Sequence, residues 1–129
     1  MTKHWTILLV EDDSLADVLH LILRRNLREA SIFLARDGEE GLRLALAMQP
    51  DLIICDLAIP GMDGYDLIKR LSPTRQHKSL HVIGMSGGHP VDTRILAFQK
   101  ICDKFFPKPF EAHQLLSEIK RFMTSAVTS

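Results

Sequence analysis

Short apolar runs alternate along this chain with longer amphipathic stretches. Five runs have the length of strands: TILLV at 6–10, SIFLA at 31–35, LIIC at 52–55, HVIGM at 81–85 and the weaker KFF at 104–106. They are largely apolar without a two-residue alternation, the pattern of strands covered on both faces of a parallel sheet. The segments between them repeat at helical spacing. From about 14 to 28, Leu15, Val18, Leu19, Ile22, Leu23 and Leu27 share one arc, with Asp17, Arg24 and Arg28 opposite. Leu21 is the apolar exception on the polar side, and Asn26 the polar exception on the apolar side. Segments 38–49, 64–72 and 91–101 read as helices too. In the last, 111–123, Leu115, Ile119 and Phe122 form a stripe with Leu116 and Met123 beside it, while His113, Lys120 and Arg121 face away. Regular strand–helix alternation asks for right-handed crossovers, so the expected fold is α/β, a five-stranded parallel doubly wound sheet. Gly84 interrupts the fourth run, which either weakens that strand or permits a close approach. The tail TSAVTS is expected to fray.

Composition narrows the class. At 129 residues the chain has the length of one domain, and 46% apolar with 25% charged residues is ordinary for a globular protein. The formal net charge is zero, which removes the electrostatic footprint expected of a nucleic-acid binder. Cys55 and Cys102 lack CxxC spacing and lie in apolar surroundings, where free cysteine acts as a small hydrophobe. The first residues, MTKHWTILLV, run straight into EDD, so they suit neither a signal peptide nor a membrane span. A reduced, cytoplasmic protein without a membrane segment is expected. None of the six histidines has zinc-ligand spacing.

Ligands of open α/β sheets bind outside the carboxyl ends of the strands. Four of the five ends here carry chemistry: Glu11-Asp12-Asp13, Asp56, Ser86 and Lys108-Pro109. Carboxylates brought together repel unless a cation holds them charged. Mg²⁺ suits such a set, because it takes oxygen ligands, keeps several waters and bridges one or two carboxylates to a phosphate. A phosphoryl group on Asp56 then gives Lys108 and the Ser86 hydroxyl a partner. Plainer readings stand beside this one. Acids before a helix cap it, and Asp13 and Ser14 suit that role. Ser86 before Gly87-Gly88 also reads as loop chemistry, Lys108 as a solvated lysine, and Phe105 as core.

The motifs ILLVEDD, DLIICDLAIPGMDG, VIGMSG and FFPKPF cover nearly the whole chain in order and spacing, and in them it resembles the receiver domains of two-component response regulators. The resemblance implies a flavodoxin-like sheet of order 2-1-3-4-5 with five helices, and a single receiver domain over 1–129 with no output domain. It implies that Glu11 and Asp12 hold Mg²⁺ together with Asp56 and the Ala58 carbonyl, and that Asp56 accepts the phosphoryl group. Ser86 and Lys108 would contact that group, Ser86 and Phe105 would switch, and Lys108-Pro109 would be a cis peptide. The implied partners are a sensor histidine kinase or histidine phosphotransfer protein and a downstream effector, read through helix 4, strand 5 and helix 5. Nucleic acid and membrane are not among them, and the protein would be a monomer or a phosphorylation-dependent dimer that catalyses its own phosphorylation and dephosphorylation.

Ile101-Cys102 depart from the family, in which a Gly-Ala pair is usual before strand 5, and Ala58 and Gly88 flank the site with almost no side chain. Three rivals remain. One is a receiver-like interaction module that works without phosphate. Another is a nucleotide- or flavin-binding domain, which the chain disfavours by lacking GxGxxG or a P-loop. The last is a haloacid-dehalogenase-type phosphatase, which wants a second acid where Ala58 stands.

Overall fold

The computed structural model describes residues 3–75, 80–88 and 92–128. Strands and helices alternate throughout: β1 (Trp5–Val10), α1 (Ser14–Asn26), β2 (Ala30–Ala35), α2 (Gly38–Met48), β3 (Leu52–Asp56), α3 (Gly64–Arg75), β4 (His81–Ser86), α4 (Thr93–Ile101), β5 (Lys104–Pro107) and α5 (Ala112–Thr128). All neighbouring strands pair in parallel, in the order β2-β1-β3-β4-β5. The chain changes direction of travel across the sheet between β1 and β3, and this opens a crevice at their carboxyl ends.

Two apolar layers flank the sheet. On one side Leu9 and Ile54 pack with Leu19 and Leu23 of α1 and Leu115 and Ile119 of α5. On the other, Leu8 and Cys55 pack with Leu67 and Ile68 of α3 and Phe98 of α4. Every residue of the central strand β3 is buried, which is why LIIC shows no alternation. Aspartates start four of the helices, Asp63 among them, accepting from Asp66 N at 2.9 Å at the start of α3. Asp13 accepts from Leu15 N at 2.8 Å, Asp37 from Glu40 N at 2.7 Å, and Asp92 from Arg94 N at 2.8 Å. Gln49 ends α2 in the left-handed region at φ 49°.

The structure departs from the expected helices in four places. The buried arc of α1 is narrower than its apolar pattern, since Val18 is 53% exposed; Leu21, expected on the polar side, is exposed as well. The β5–α5 connection stops short of covering α1, leaving a groove of about 440 Å³ lined by Leu15, Val18, Leu19, Ile22, Pro109 and Phe110. Asn26 ends α1 by donating from Nδ2 to Ile22 O at 2.7 Å. Helix α3 continues past 72 to Arg75 and includes Pro73. Helix α5 continues to Thr128, so 124–128 are helical rather than frayed, with no glycine or proline there to stop them. Helix α4 begins at Thr93, and its expected start at 91 lies outside the described residues.

Candidate functional site

The turn after β3 sets the site's geometry. Gly64 N donates to Leu57 O at 2.9 Å, folding the loop back on the strand end. A Cβ at Gly64 would lie 2.6 Å from Asp56 O, so only glycine fits this close approach. Gly61 adopts φ 73°, the region that favours glycine, and Pro60 O accepts from Gly38 N at 3.3 Å. Asp56 is thereby fixed at the sheet edge with only 4% of its surface exposed.

Lys108 is brought in by the neighbouring strands. Its amide donates to Ser86 O at 2.8 Å, extending the β4–β5 pairing by one step, and the peptide to Pro109 is cis. Its Nζ then donates to Glu11 Oε1 at 2.6 Å and to Asp56 Oδ2 at 2.9 Å. The other Asp56 oxygen, Oδ1, accepts from Ala58 N at 3.3 Å. Ser86 is buried, and its Oγ accepts from Gly88 N at 3.3 Å. A side chain at Gly88 would meet Ile95 of α4, with Cδ1 only 2.4 Å from the added Cβ.

One ammonium facing two buried carboxylates cannot neutralise both. Burial pushes the Glu11 carboxyl up to about 8, sharing with Asp56 adds to the rise, and Lys108 only partly opposes it. Burial alone would lower the Lys108 ammonium, but its hydrogen bonds to Glu11 and Asp56 outweigh that and hold it charged above its ordinary range. Without further positive charge, burial and the neighbouring carboxylate favour the protonated form of Glu11.

These residues fit a hard divalent cation. Glu11 Oε2 is buried with no hydrogen-bond partner among the described residues, an unsatisfied acceptor of the kind that costs stability until a cation or donor reaches it. Among the described residues no three His, Cys, Asp or Glu side chains are grouped as a complete metal site. Glu11 and Asp56 converge, whereas Asp12 stands exposed at the surface. Two carboxylates are nevertheless enough for Mg²⁺, which completes its shell with waters and substrate oxygens.

Phe105 is half-buried and meets Phe98 of α4 edge-to-face, with centroids 6.3 Å apart at 85°. Asp13 caps α1. Asp63, just before α3, accepts from Asp66 N at 2.9 Å and also binds Arg94 of α4 through both carboxylate oxygens, at 2.8 and 3.0 Å. Burial alone would raise the Asp63 carboxyl, but Arg94 and the α3 amides hold it below the usual range. Sequence reading missed Arg94: it is exposed and 31 positions from its partner, and no local pattern joins them.

The chain is 30% identical over 114 residues to the cell cycle transcriptional regulator CtrA of Caulobacter vibrioides, covering 88% of this chain and 48% of that protein. It thus spans about half the length of this relative. Among solved structures, the N-terminal domain of an uncharacterized protein from Wolinella succinogenes superposes with TM-score 0.85 at 27% identity, covering 96% of this chain and 98% of that one. A putative response regulator from Chloroflexus aurantiacus superposes with TM-score 0.76 at 30% identity, covering 95% and 99%. With residues 7–120 matching the family model of the response regulator receiver domain, the chain belongs to that family.

Proposed function

We propose that residues 1–129 work as a phospho-accepting receiver in a two-component or phosphorelay pathway, with Asp56 as the acceptor. The observation that carries this reading is the bridge of Lys108 Nζ to Glu11 and Asp56 at the carboxyl edge of the sheet. An Asp56 carboxylate oxygen attacks the phosphorus of a phosphohistidine. The new O–P bond forms as the P–N bond breaks, and the departing imidazole takes up a proton. Lys108 keeps its pairing with Asp56 and adds a phosphoryl oxygen to it. The Ser86 hydroxyl, released from Gly88 N, donates to another. Mg²⁺, held by Glu11, Asp12, Asp56 and the Ala58 carbonyl, supplies the charge that neutralises the phosphoryl oxygens.

The donor is a sensor histidine kinase or a histidine phosphotransfer protein. The apolar groove between α1 and Pro109-Phe110 adjoins Lys108, so an apolar helix face laid there would bring its phosphohistidine to Asp56. The output is a change in the surface of α4, β5 and α5, with Ser86 and Phe105 as the moving parts, read by a downstream effector. No described helix is long and apolar enough to cross a membrane, and we place the protein in the cytoplasm.

Incubation with Mg²⁺ and acetyl phosphate, followed by intact-mass measurement, tests the chemistry. Wild type gains one phosphoryl group, and omission of Mg²⁺ or the change Asp56→Ala prevents it. Equal labelling of Asp56→Ala, or no labelling of wild type, rejects the reading. The rival reading, an interaction module independent of phosphate, predicts that last result.

A further inference from the structure

Helix α4 is tied at its first turn to the segment that carries the phospho-acceptor. Arg94 donates from Nε to Asp63 Oδ2 at 2.8 Å and from one terminal nitrogen to Asp63 Oδ1 at 3.0 Å. The same nitrogen lies 3.0 Å from Asp66 Oδ1, and the guanidinium carbon sits 4.5 Å from the centre of the Tyr65 ring. An isolated surface ion pair contributes little, but a two-pronged guanidinium–carboxylate contact within a network is the exception. Its acceptor is itself fixed, since Asp63 Oδ1 also accepts the Asp66 amide at the start of α3. Gly64, the next residue, is bonded back to Leu57 beside Asp56.

The contacts on the sheet side of α4 reach the site as well. Ile95, adjacent to Arg94, occupies the space above Gly88, two residues beyond Ser86. Phe98 meets Phe105. A shift of Ser86 and Gly88 toward a phosphoryl group therefore vacates or crowds the seat of Ile95, and α4 cannot follow without breaking the Arg94 contacts.

Resting on the receiver reading above, we propose that Arg94 is a latch that holds α4 in its unphosphorylated position against Asp63, Asp66 and Tyr65. Its strength sets how readily Asp56 is phosphorylated. Coupling of this kind is reciprocal: if phosphorylation favours the unlatched position, then opening the latch favours phosphorylation.

The test compares initial rates of labelling by acetyl phosphate and Mg²⁺ in wild type, Arg94→Met and Asp66→Asn. Arg94→Met keeps the apolar stem and removes the fork, and Asp66→Asn weakens the network from the other side without touching the Asp63 cap. Arg36→Met, which breaks the exposed Arg36–Asp17 pair, serves as a control for the loss of surface charge. The expected result is a rate increase of roughly fivefold or more in Arg94→Met, a smaller increase in Asp66→Asn and none in Arg36→Met. Unchanged or slower labelling of the folded Arg94 and Asp66 variants, with wild type labelled normally, overturns the latch alone. An equal rise in Arg36→Met also overturns it, and an unlabelled wild type overturns both the latch and the receiver reading. Should Arg94→Met fail to fold, Asp66→Asn decides.

Discussion

A Cβ added to Gly84 would stand 2.5 Å from the Cys102 sulfur, so the two residues share one space. Gly84 is paired with Cys55 in β3 and with Phe105 in β5, and the Phe98 ring of α4 and the sulfur of Cys102, just past the end of that helix, rest on its backbone. The interrupted fourth strand is therefore a seat for α4, and the unusual Ile101-Cys102 pair comes with a glycine beneath it. Gly84→Ala is expected to destabilise the protein by about 1–3 kcal/mol, the usual cost of overpacking a closed core. Combining it with Cys102→Ala should recover only part of that loss, because Phe98 Cε2 would still lie 2.8 Å from the new methyl. Denaturant melts of the two single variants and the double variant measure the coupling, and strict additivity would contradict a shared space.

The strands were legible because burial on both faces writes itself as an apolar run, and β3 is the clearest case. Glu11, Asp56, Ser86 and Lys108 could be singled out because each follows such a run, where a polar residue has no structural need to be. Sequence could not supply what depends on distant packing. The Arg94–Asp63 contact joins two exposed residues from separate helix starts. Glu118 is buried on α5, where Arg121 binds both its carboxylate oxygens at 2.8 and 2.9 Å and His81 of β4 lies 4.0 Å away, a packing the sequence does not announce. Val18 has an apolar side chain on the expected arc, yet what covers that arc is decided by the path of the β5–α5 connection.

Asp12 and Asp13 are neighbours with separable roles. Asp13 accepts the Leu15 amide and caps α1, whereas Asp12 is exposed and takes no hydrogen bond from a described residue. Asp13→Ala should cost about 1 kcal/mol of stability and leave Mg²⁺-dependent labelling by acetyl phosphate near wild type. Asp12→Ala should melt like wild type and lose most of that labelling. Thermal melts beside intact-mass labelling of both variants check the pair, and the reverse assignment of effects would move the metal role to Asp13.

Lys108 supplies the cation that faces Glu11 and Asp56. Lys108→Met keeps most of the stem and removes the ammonium, leaving two buried carboxylates facing each other. In metal-free buffer the variant should lose about 1–3 kcal/mol, the cost of unsatisfied buried acceptors, with protonation of Glu11 limiting the loss. Mg²⁺ should then raise its melting temperature more than it raises that of wild type, while labelling of Asp56 falls. Melts with and without Mg²⁺ test this, and an equal metal effect on both proteins would contradict it.

The acid at Asp63 gives stability a defined pH dependence. Its surroundings are Arg94 from α4, Asp66 and Tyr65 from α3, and the α3 amides; the arginine fork and the amides prevail over burial, which alone would raise its carboxyl, and hold it low. A carboxyl whose folded value lies below its unfolded value of 3.8 binds protons more tightly when unfolded. Its contribution is therefore complete above that unfolded value and fades as pH falls through the lower folded one. Asp63→Asn keeps an oxygen to cap Asp66 N and removes the charge. At pH 7 it should cost less than about 1 kcal/mol, as solvent screening demands for a partly exposed pair. By pH 3 the gap from wild type should be visibly closing. Urea melts of both proteins across this range measure it, and a gap that stays constant down to pH 2 would mean that the Arg94 contact contributes nothing through charge.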